Sequence, residues 1–291
     1  MKAPNRGGSG QDRVHVIGAS GRSGAALCRS LLADGVPFVP VVRDPARWEA
    51  TGLPGDPGIA DLEGGGLAAA LAGAGRIASC AHARYIPAIL QAAPERARFA
   101  FLGSTRKFTQ WPDAHGNGVL AGERAFLGSG RAGVLLHPTM IYGAAGEDNV
   151  QRLASLLRRL PFVPLPGGGR ALVQPIHQSD VTRSLRAALD RDWSGPEALV
   201  IAGPEAVRYV EFVRAVAEAA GLREPRIVNV PAALLLALTP LTALPGLPRI
   251  RPAEIRRLLE DKAFSIAPMR ARLGVDPIPL ASGLALTFGT R

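Results

Sequence analysis

The chain is 291 residues long, 47% apolar and 20% charged, with a formal net charge of +10. That length and mixture exclude a disordered or fibrous chain and suit one large α/β domain, or one domain with a smaller lobe. The make-up of the charge argues against nucleic acid as a partner. Lysine occurs only at Lys2, Lys107 and Lys262, the arginines are strewn along the chain and often sit beside acids, and no aromatic-interleaved basic stripe appears.

Enrichment in Ala, Gly, Pro and Arg fits the coding bias of a GC-rich bacterial genome. Cys28 and Cys80 have no CxxC partner and no metal-type neighbourhood, so they read as buried residues of a reducing, cytoplasmic compartment, with no metal centre. The opening MKAPNRGGSGQDR is polar and lacks the apolar core of a signal peptide; residues 1–12 read as a frayed tail. The most hydrophobic stretch, Val230 to Leu247, is interrupted by Pro231, Pro240 and Pro245. Those prolines spoil a single spanning helix and leave a short helix, with room for peripheral membrane contact only.

In chain order, Arg13 to Ile17 reads as a buried strand and Gly24 to Ala33 as a helix with Gly35 just past its end. Val36 to Val42 is a strand with two awkward prolines. Leu67 to Leu71 is helical, Arg76 to Cys80 a strand and Ile86 to Ala93 a helix. Phe99 to Leu102 is a strand, Val119 to Leu127 a helix and Gly133 to Leu136 a strand. This alternation predicts a Rossmann-type doubly wound parallel sheet with helices on both faces. Later come an amphipathic helix from Asn149 to Leu160, the loop PLPGGGRA, and helices at Asp180 to Leu189, Tyr209 to Ala220 and Arg251 to Leu259. The division expected is a core over 13–143 and a C-terminal portion over 144–291 that completes the sheet and forms a smaller substrate lobe.

The stretch VHVIGASGRSGAAL places Gly18, Gly21 and Gly24 between the first strand and the first helix. In that setting Gly18 permits the tight turn, Gly21 lets backbone approach a pyrophosphate, and Gly24 lets helix and strand pack closely. The helix N-terminus, with Ser20, Arg22 and Ser23 around it, offers N–H groups and positive dipole to the phosphates. An NAD-binding chain usually carries an acid at the end of the second strand, about 20 residues on. Here VVRDPARW puts Arg43 at that position, with Arg47 following. Guanidinium groups suit a 2′-phosphate, so NADP is favoured over NAD, with Asp44 as the counter-argument.

Taken together, GxxGxxG, VVRDPAR, FLGSTRKF, HPTMIYG and QPIHQSDV resemble the atypical or extended short-chain dehydrogenase/reductases. Within that group the chain is similar to the NAD(P)-dependent epimerase/dehydratase-like and NmrA-like proteins. The segments LPRIRPAEIRRLLEDKAF and LGVDPIPLASGLALTF resemble the C-terminal portion of complex I accessory subunits of this type. The resemblance implies that Asp61 and Leu62 flank the adenine and that Cys80 and Ala81 line the cofactor cleft. It sets His137, Pro138, Thr139 and Met140 beside the nicotinamide, and makes Ser104 the serine that bonds the reacting oxygen of the substrate. By residue type alone, Ser104 and Thr105 read as a turn or cap after a strand.

The departure from that family is informative. Its acid/base pair is Tyr-x-x-x-Lys, four residues ahead of a glutamate that corresponds here to Glu123. Val119 then stands where lysine should be and His115 where tyrosine should be. None of Tyr85, Tyr142 and Tyr209 has a lysine four residues on. Valine cannot help to lower a phenol's pKa, so ordinary alcohol chemistry of this family is in doubt. His115 is one substitute, though it sits in DAHGNG, which reads as a loop. Tyr142 is another, packed under the cleft wall with its hydroxyl either free for substrate or satisfied in the core. Lys107 points into the cleft or is simply solvated. The resemblance further places Thr105, Asn149, Gln151, Arg152, Arg170, Gln174 and His177 on the substrate side. Val173 replaces an arginine expected before His177, which leaves a diphosphate clamp incomplete. Asp180 reads as the cap of the following helix.

The expectation is therefore an NADP-binding oxidoreductase that transfers hydride to or from a small organic or sugar-derived substrate without the usual pair, as a monomer or homodimer. Its rivals are a catalytically decayed structural or redox-sensing protein and a sugar-nucleotide epimerase/dehydratase with substituted acid/base residues.

Overall fold

The computed structural model of the protein describes residues 13–143, 149–160, 162–239 and 252–289. The first half alternates strand and helix: β1 (Val14–Ile17), α1 (Arg22–Ala33), β2 (Phe38–Val42), α2 (Pro45–Glu49), β3 (Gly58–Ile59), α3 (Leu67–Ala70) and β4 (Arg76–Ser79). It continues through α4 (Ile86–Ala92), β5 (Arg98–Leu102), α5 (Ala114–Gly128), β6 (Gly133–Pro138) and β7 (Ile141–Tyr142). Next come α6 (Asn149–Arg159), β8 (Phe162–Pro166), β9 (Leu172–Val173), β10 (Ile176–His177), α7 (Gln178–Asp190), β11 (Pro196–Ile201) and β12 (Val207–Arg208). The last elements are α8 (Tyr209–Ala219), β13 (Arg226–Val230), α9 (Ala232–Leu238), α10 (Pro252–Arg257), α11 (Ala267–Leu273) and α12 (Leu280–Phe288).

Seven parallel strands form the central sheet in the order β11-β6-β5-β4-β1-β2-β3. The two-residue period of a strand sends alternate side chains to opposite layers. Val14 and Val16 meet α1 and α7 through Leu27, Leu31, Val181 and Leu185. On the other face Ile17, Ile77, Phe99 and Phe101 pack against α4 and α5 through Ile86, Ile89, Val119 and Phe126. Both faces are covered, as a parallel sheet requires. A smaller apolar cluster, with Tyr142, Val150, Ala154, Phe212, Val216 and Leu284, holds α6, α8 and α12 together. The edge strand β11 comes from the second half of the chain, in register with all of β6.

Several boundaries differ from the sequence expectation for local reasons. The first helix begins at Arg22, because Gly21 takes the N-cap position. Pro40 is accommodated in β2 because β3 pairs only with Val41 and Val42, so no ladder partner on that edge requires the N–H that Pro40 lacks. The largest difference is α5, which starts at Ala114. Asp113 caps it by accepting the Gly116 N–H at 2.8 Å, and that cap overrides the weak propensity of two glycines. His115 thus lies in a helix's first turn and not in a loop. The helix expected over Arg251 to Leu259 is α10; Arg251 itself lies outside the described residues. Of the apolar stretch Val230 to Leu247, Ala232–Leu238 is helical, and residues 240–247 lie outside the described residues. No helix among the described residues is long and apolar enough to cross a membrane.

Candidate functional site

The carboxyl ends of β1, β2 and β4 open onto a cleft of about 330 Å³. Its lining brings together Gly18, Ser20, Gly21, Arg43, Arg47, Asp61, Leu62, Cys80 and Ala81, which lie far apart in sequence. Gly18 has φ +74°, its N–H donates to the Val41 carbonyl at 2.9 Å, and its own carbonyl accepts from Gly21 at 2.9 Å. A Cβ on Gly24 would stand 2.1 Å from the Gly18 oxygen, so only glycine lets α1 close over this turn. No side chain caps α1, which leaves its first N–H groups to meet an acceptor from outside the helix. That cradle fits a pyrophosphate.

Charge in the cleft follows from the end of β2. Asp44 caps α2, its Oδ1 accepting from the Ala46 N–H at 3.1 Å with Pro45 next in the chain. Arg43 and Arg47 are exposed and have no ion-pair or hydrogen-bond partner among the described residues. Arg22 is exposed at the first position of α1, and the Ser23 hydroxyl donates to Gln178 Oε1 at 2.9 Å, which ties α1 to the start of α7. Burial pushes the Cys80 thiol up to about 12, so it is a neutral wall residue. Tyr85 also lines the cleft, a role the sequence did not reveal. Its place depends on a short turn after β4, and its hydroxyl donates to Glu63 Oε1 at 3.1 Å.

The ends of β5 and β6 carry a different arrangement. Ser104 caps the turn Thr105–Phe108, its Oγ accepting from the Arg106 N–H at 3.1 Å. Lys107 Nζ lies 2.5 and 2.6 Å from the two carboxylate oxygens of Glu123, with side chains only 10% and 14% exposed. Lys107 is therefore neither solvated nor free to reach into the cleft. His137, on β6, accepts from the Ser104 N–H through Nδ1 at 3.3 Å, and its Nε2 is 3.5 Å from Glu123 Oε2. Burial first, then the Lys107 charge, lower the His137 pKa to about 4 against the opposing pull of Glu123, so the ring is neutral at physiological pH. Pro138, Thr139 and Met140 follow it; the Thr139 hydroxyl is buried without a hydrogen-bond partner.

His115 is exposed and meets the ring of His82 edge-on, with centroids 4.3 Å apart. His82 follows Cys80 and Ala81 of the cleft wall in the chain, while neither histidine is itself among the residues that line the cleft. Burial and nearby arginines lower both imidazole pKa values. His82 was missed from sequence, where nothing marks it as a neighbour of His115.

Other expected residues serve packing. Tyr142 is 1% exposed, its hydroxyl faces the Leu280 carbonyl at 3.5 Å, and a Cβ on Gly283 would lie 2.1 Å from the Tyr142 hydroxyl oxygen. Helix α12 covers it, so its hydroxyl does not face the cleft. Thr105 is buried and donates to the Pro138 carbonyl at 3.1 Å. The Gln174 amide is taken by backbone, donating to Gly203 at 2.8 Å and accepting from Phe264 at 2.7 Å. His177, not Asp180, caps α7, its Nδ1 accepting from the Ser179 N–H at 3.2 Å. Asp180 is fully buried inside the first turn, where it accepts the Ile278 N–H at 3.0 Å and anchors the C-terminal segment. Asn149 and Arg152 are exposed on α6, and Gln151 is half-buried between them. Arg170 borders a separate cavity of about 260 Å³ with Pro166, Gly167, Leu258 and Asp261.

A doubly wound parallel sheet with a glycine cradle at its first crossover is a Rossmann-type α/β fold, and the same fold recurs in solved structures of low sequence identity. Solved structures confirm that architecture. MoeE5 in complex with UDP-glucose and NAD is 20% identical over 95% of this chain and 97% of its own, with a TM-score of 0.71. The NADPH-dependent quinone oxidoreductase QOR2 from Escherichia coli, complexed with NADPH, is 17% identical over 94% and 99%, with a TM-score of 0.73. UDP-glucose 4-epimerase from Thermotoga maritima is 16% identical over 95% and 97%, with a TM-score of 0.70. No protein-family model and no curated protein sequence matches the chain.

Proposed function

We propose that the protein is an NADP(H)-binding oxidoreductase of the short-chain type that acts on a small organic or sugar-derived molecule without a Tyr-x-x-x-Lys pair. The observation that carries this reading is the cleft itself, where a glycine cradle for a pyrophosphate and two unpartnered guanidinium groups stand at the end of β2. The carboxylate of Asp44 that would otherwise bond a ribose hydroxyl already caps α2 through one oxygen. A nicotinamide held there supplies or accepts a hydride. In that arrangement Gly18, Gly21 and the first turn of α1 hold the phosphates, Arg43 and Arg47 hold the 2′-phosphate, and Asp61 and Leu62 border the adenine. Ser104 and the neutral His137 form the floor on the reacting side, and the elements after residue 143 form the substrate lobe. His115, with His82 against it, is the one titratable group of α5 placed to exchange a proton with substrate, since Val119 is buried and Lys107 is closed off by Glu123.

That closure also favours a second reading, in which the fold keeps the cofactor for stability or redox sensing and has lost the chemistry. Calorimetry with NADPH and NADH tests the primary assignment, and a hydride-transfer screen then separates the two readings. NADPH should bind tighter, and Arg43→Ala should weaken NADPH about tenfold while leaving NADH nearly unchanged. Equal weakening of both would remove the argument for NADP, and no affinity for either would remove the enzyme.

A further inference from the structure

Away from the cleft, the two-stranded ribbon of β8 and β13 turns one face inward and the other outward. Its parallel register pairs Phe162 with Arg226, Val163 with Ile227, Pro164 with Val228 and Leu165 with Asn229. Paired residues share a face, and neighbours along a strand alternate. Val163, Leu165 and Ile227 pack inward against Val213 of α8 with Leu153 and Leu157 of α6. Phe162 and Val228 belong to the opposite face with Pro164 and Arg226, and they are 50% and 41% exposed. Helix α9 follows β13 after Pro231 alone and reads AALLLAL, with no polar side chain. None of its residues 232–237 is buried, and Leu234 is 50% exposed.

The charge that flanks this apolar face in the chain has one sign. Arg158 and Arg159 end α6 just before β8, and Arg223 and Arg226 stand at the entry to β13. All four are exposed, and none has a hydrogen-bond or ion-pair partner among the described residues. The sequence holds no acid from Asn149 to Ser179 or from Pro225 to Thr239. Glu224, between the two β13 arginines, is held by Arg214 at 3.0 Å. A two-fold contact of this face with a second copy would set unpaired arginines against one another. A polynucleotide would answer the arginines and gain nothing from Phe162, Pro164, Val228 and Leu234. A lipid surface answers both, because its acyl boundary takes apolar side chains and its anionic headgroups take guanidinium groups. We propose that the outer face of the β8–β13 ribbon and α9 dock the protein on a membrane surface that contains anionic lipids. At seven residues α9 lies at that surface and does not span it. The inference goes beyond the oxidoreductase reading and does not depend on it.

The test sediments the full chain with vesicles of phosphatidylcholine alone and with vesicles of equimolar phosphatidylcholine and phosphatidylglycerol. Affinity for the mixed vesicles should be about tenfold or more above that for phosphatidylcholine, and added salt should lower it. Arg159→Gln/Arg226→Gln should weaken binding to the mixed vesicles about tenfold. Phe162→Ser/Leu234→Ser should weaken it by about the same factor, through the apolar contribution. Because these side chains are exposed, both variants should keep the parent's thermal midpoint, which separates lost docking from a lost fold. Sedimentation with neither vesicle, equal affinity for both, or binding untouched by either variant overturns the proposal. So does a concentration-dependent dimer in analytical ultracentrifugation that Phe162→Ser/Leu234→Ser dissolves, since a second copy would then cover the face.

Discussion

The glycine-loop end of the cleft and the end beneath β5 and β6 are built by opposite strategies. At the first, Gly18, Gly21, Gly24, Arg43 and Arg47 come from two short stretches joined by one helix, and each acts through its backbone or through exposed charge. At the second, Ser104, Lys107, Glu123 and His137 arrive from separate elements and act through buried pairing. A cradle for a phosphate is a local matter of turn geometry. A floor made of a buried lysine, glutamate and histidine exists only when three elements pack together, so it is rigid and costly to disturb.

The largest effect should come from breaking that floor. Glu123→Ala leaves Lys107 almost buried without its counter-charge, and about 3–5 kcal/mol of stability should be lost in denaturant unfolding. The double variant Lys107→Leu/Glu123→Leu should recover most of it. A single variant as stable as the parent would mean that the pair is solvated after all.

Next is the cradle. Gly24→Ala drives a methyl into the Gly18 carbonyl and should cost about 1–3 kcal/mol, with loss of NADPH binding out of proportion to the loss of fold. Unchanged affinity would break the contrast, since the close approach of α1 would then not matter to the ligand.

The smallest effect near neutral pH, because it develops only on acidification, is the acid limb of stability. The folded pKa of His137, at about 4, lies below its ordinary value near 6.5. Between those values the unfolded chain binds the proton and the folded chain does not. Stability contributed by the neutral ring is therefore complete above pH 6.5 and is lost as pH falls toward 4. The slope is at most about 1.4 kcal/mol per pH unit for one proton. His137→Asn, which keeps an acceptor for the Ser104 N–H, should flatten the unfolding free energy between pH 4 and 6.5. An equally steep slope would assign the acid sensitivity to His15, His82 and His115, whose pKa values are lowered too.

Much of the fold was legible because its rules are periodic and local. Val14, Val16 and Ile17 alternate between layers, Gly35 stops α1 with φ +66°, and the strand-helix succession implies parallel pairing. The start of α5 was not legible, because two glycines hide a helix that one aspartate cap begins. Tyr142 and Gln174 could be read as substrate contacts until α12 and the Phe264 segment were seen to cover them.

By itself, the order of residues determined the tight turn after β1 and the exposed guanidinium at the end of β2, since three glycines at fixed spacing and an arginine at a strand end need only their immediate neighbours. Only the tertiary structure decided which charges are free. Lys107 is silenced by Glu123 and Asp180 is committed to the Ile278 N–H because burial and distance set the worth of a polar pair, and both are properties of packing between elements remote in the chain.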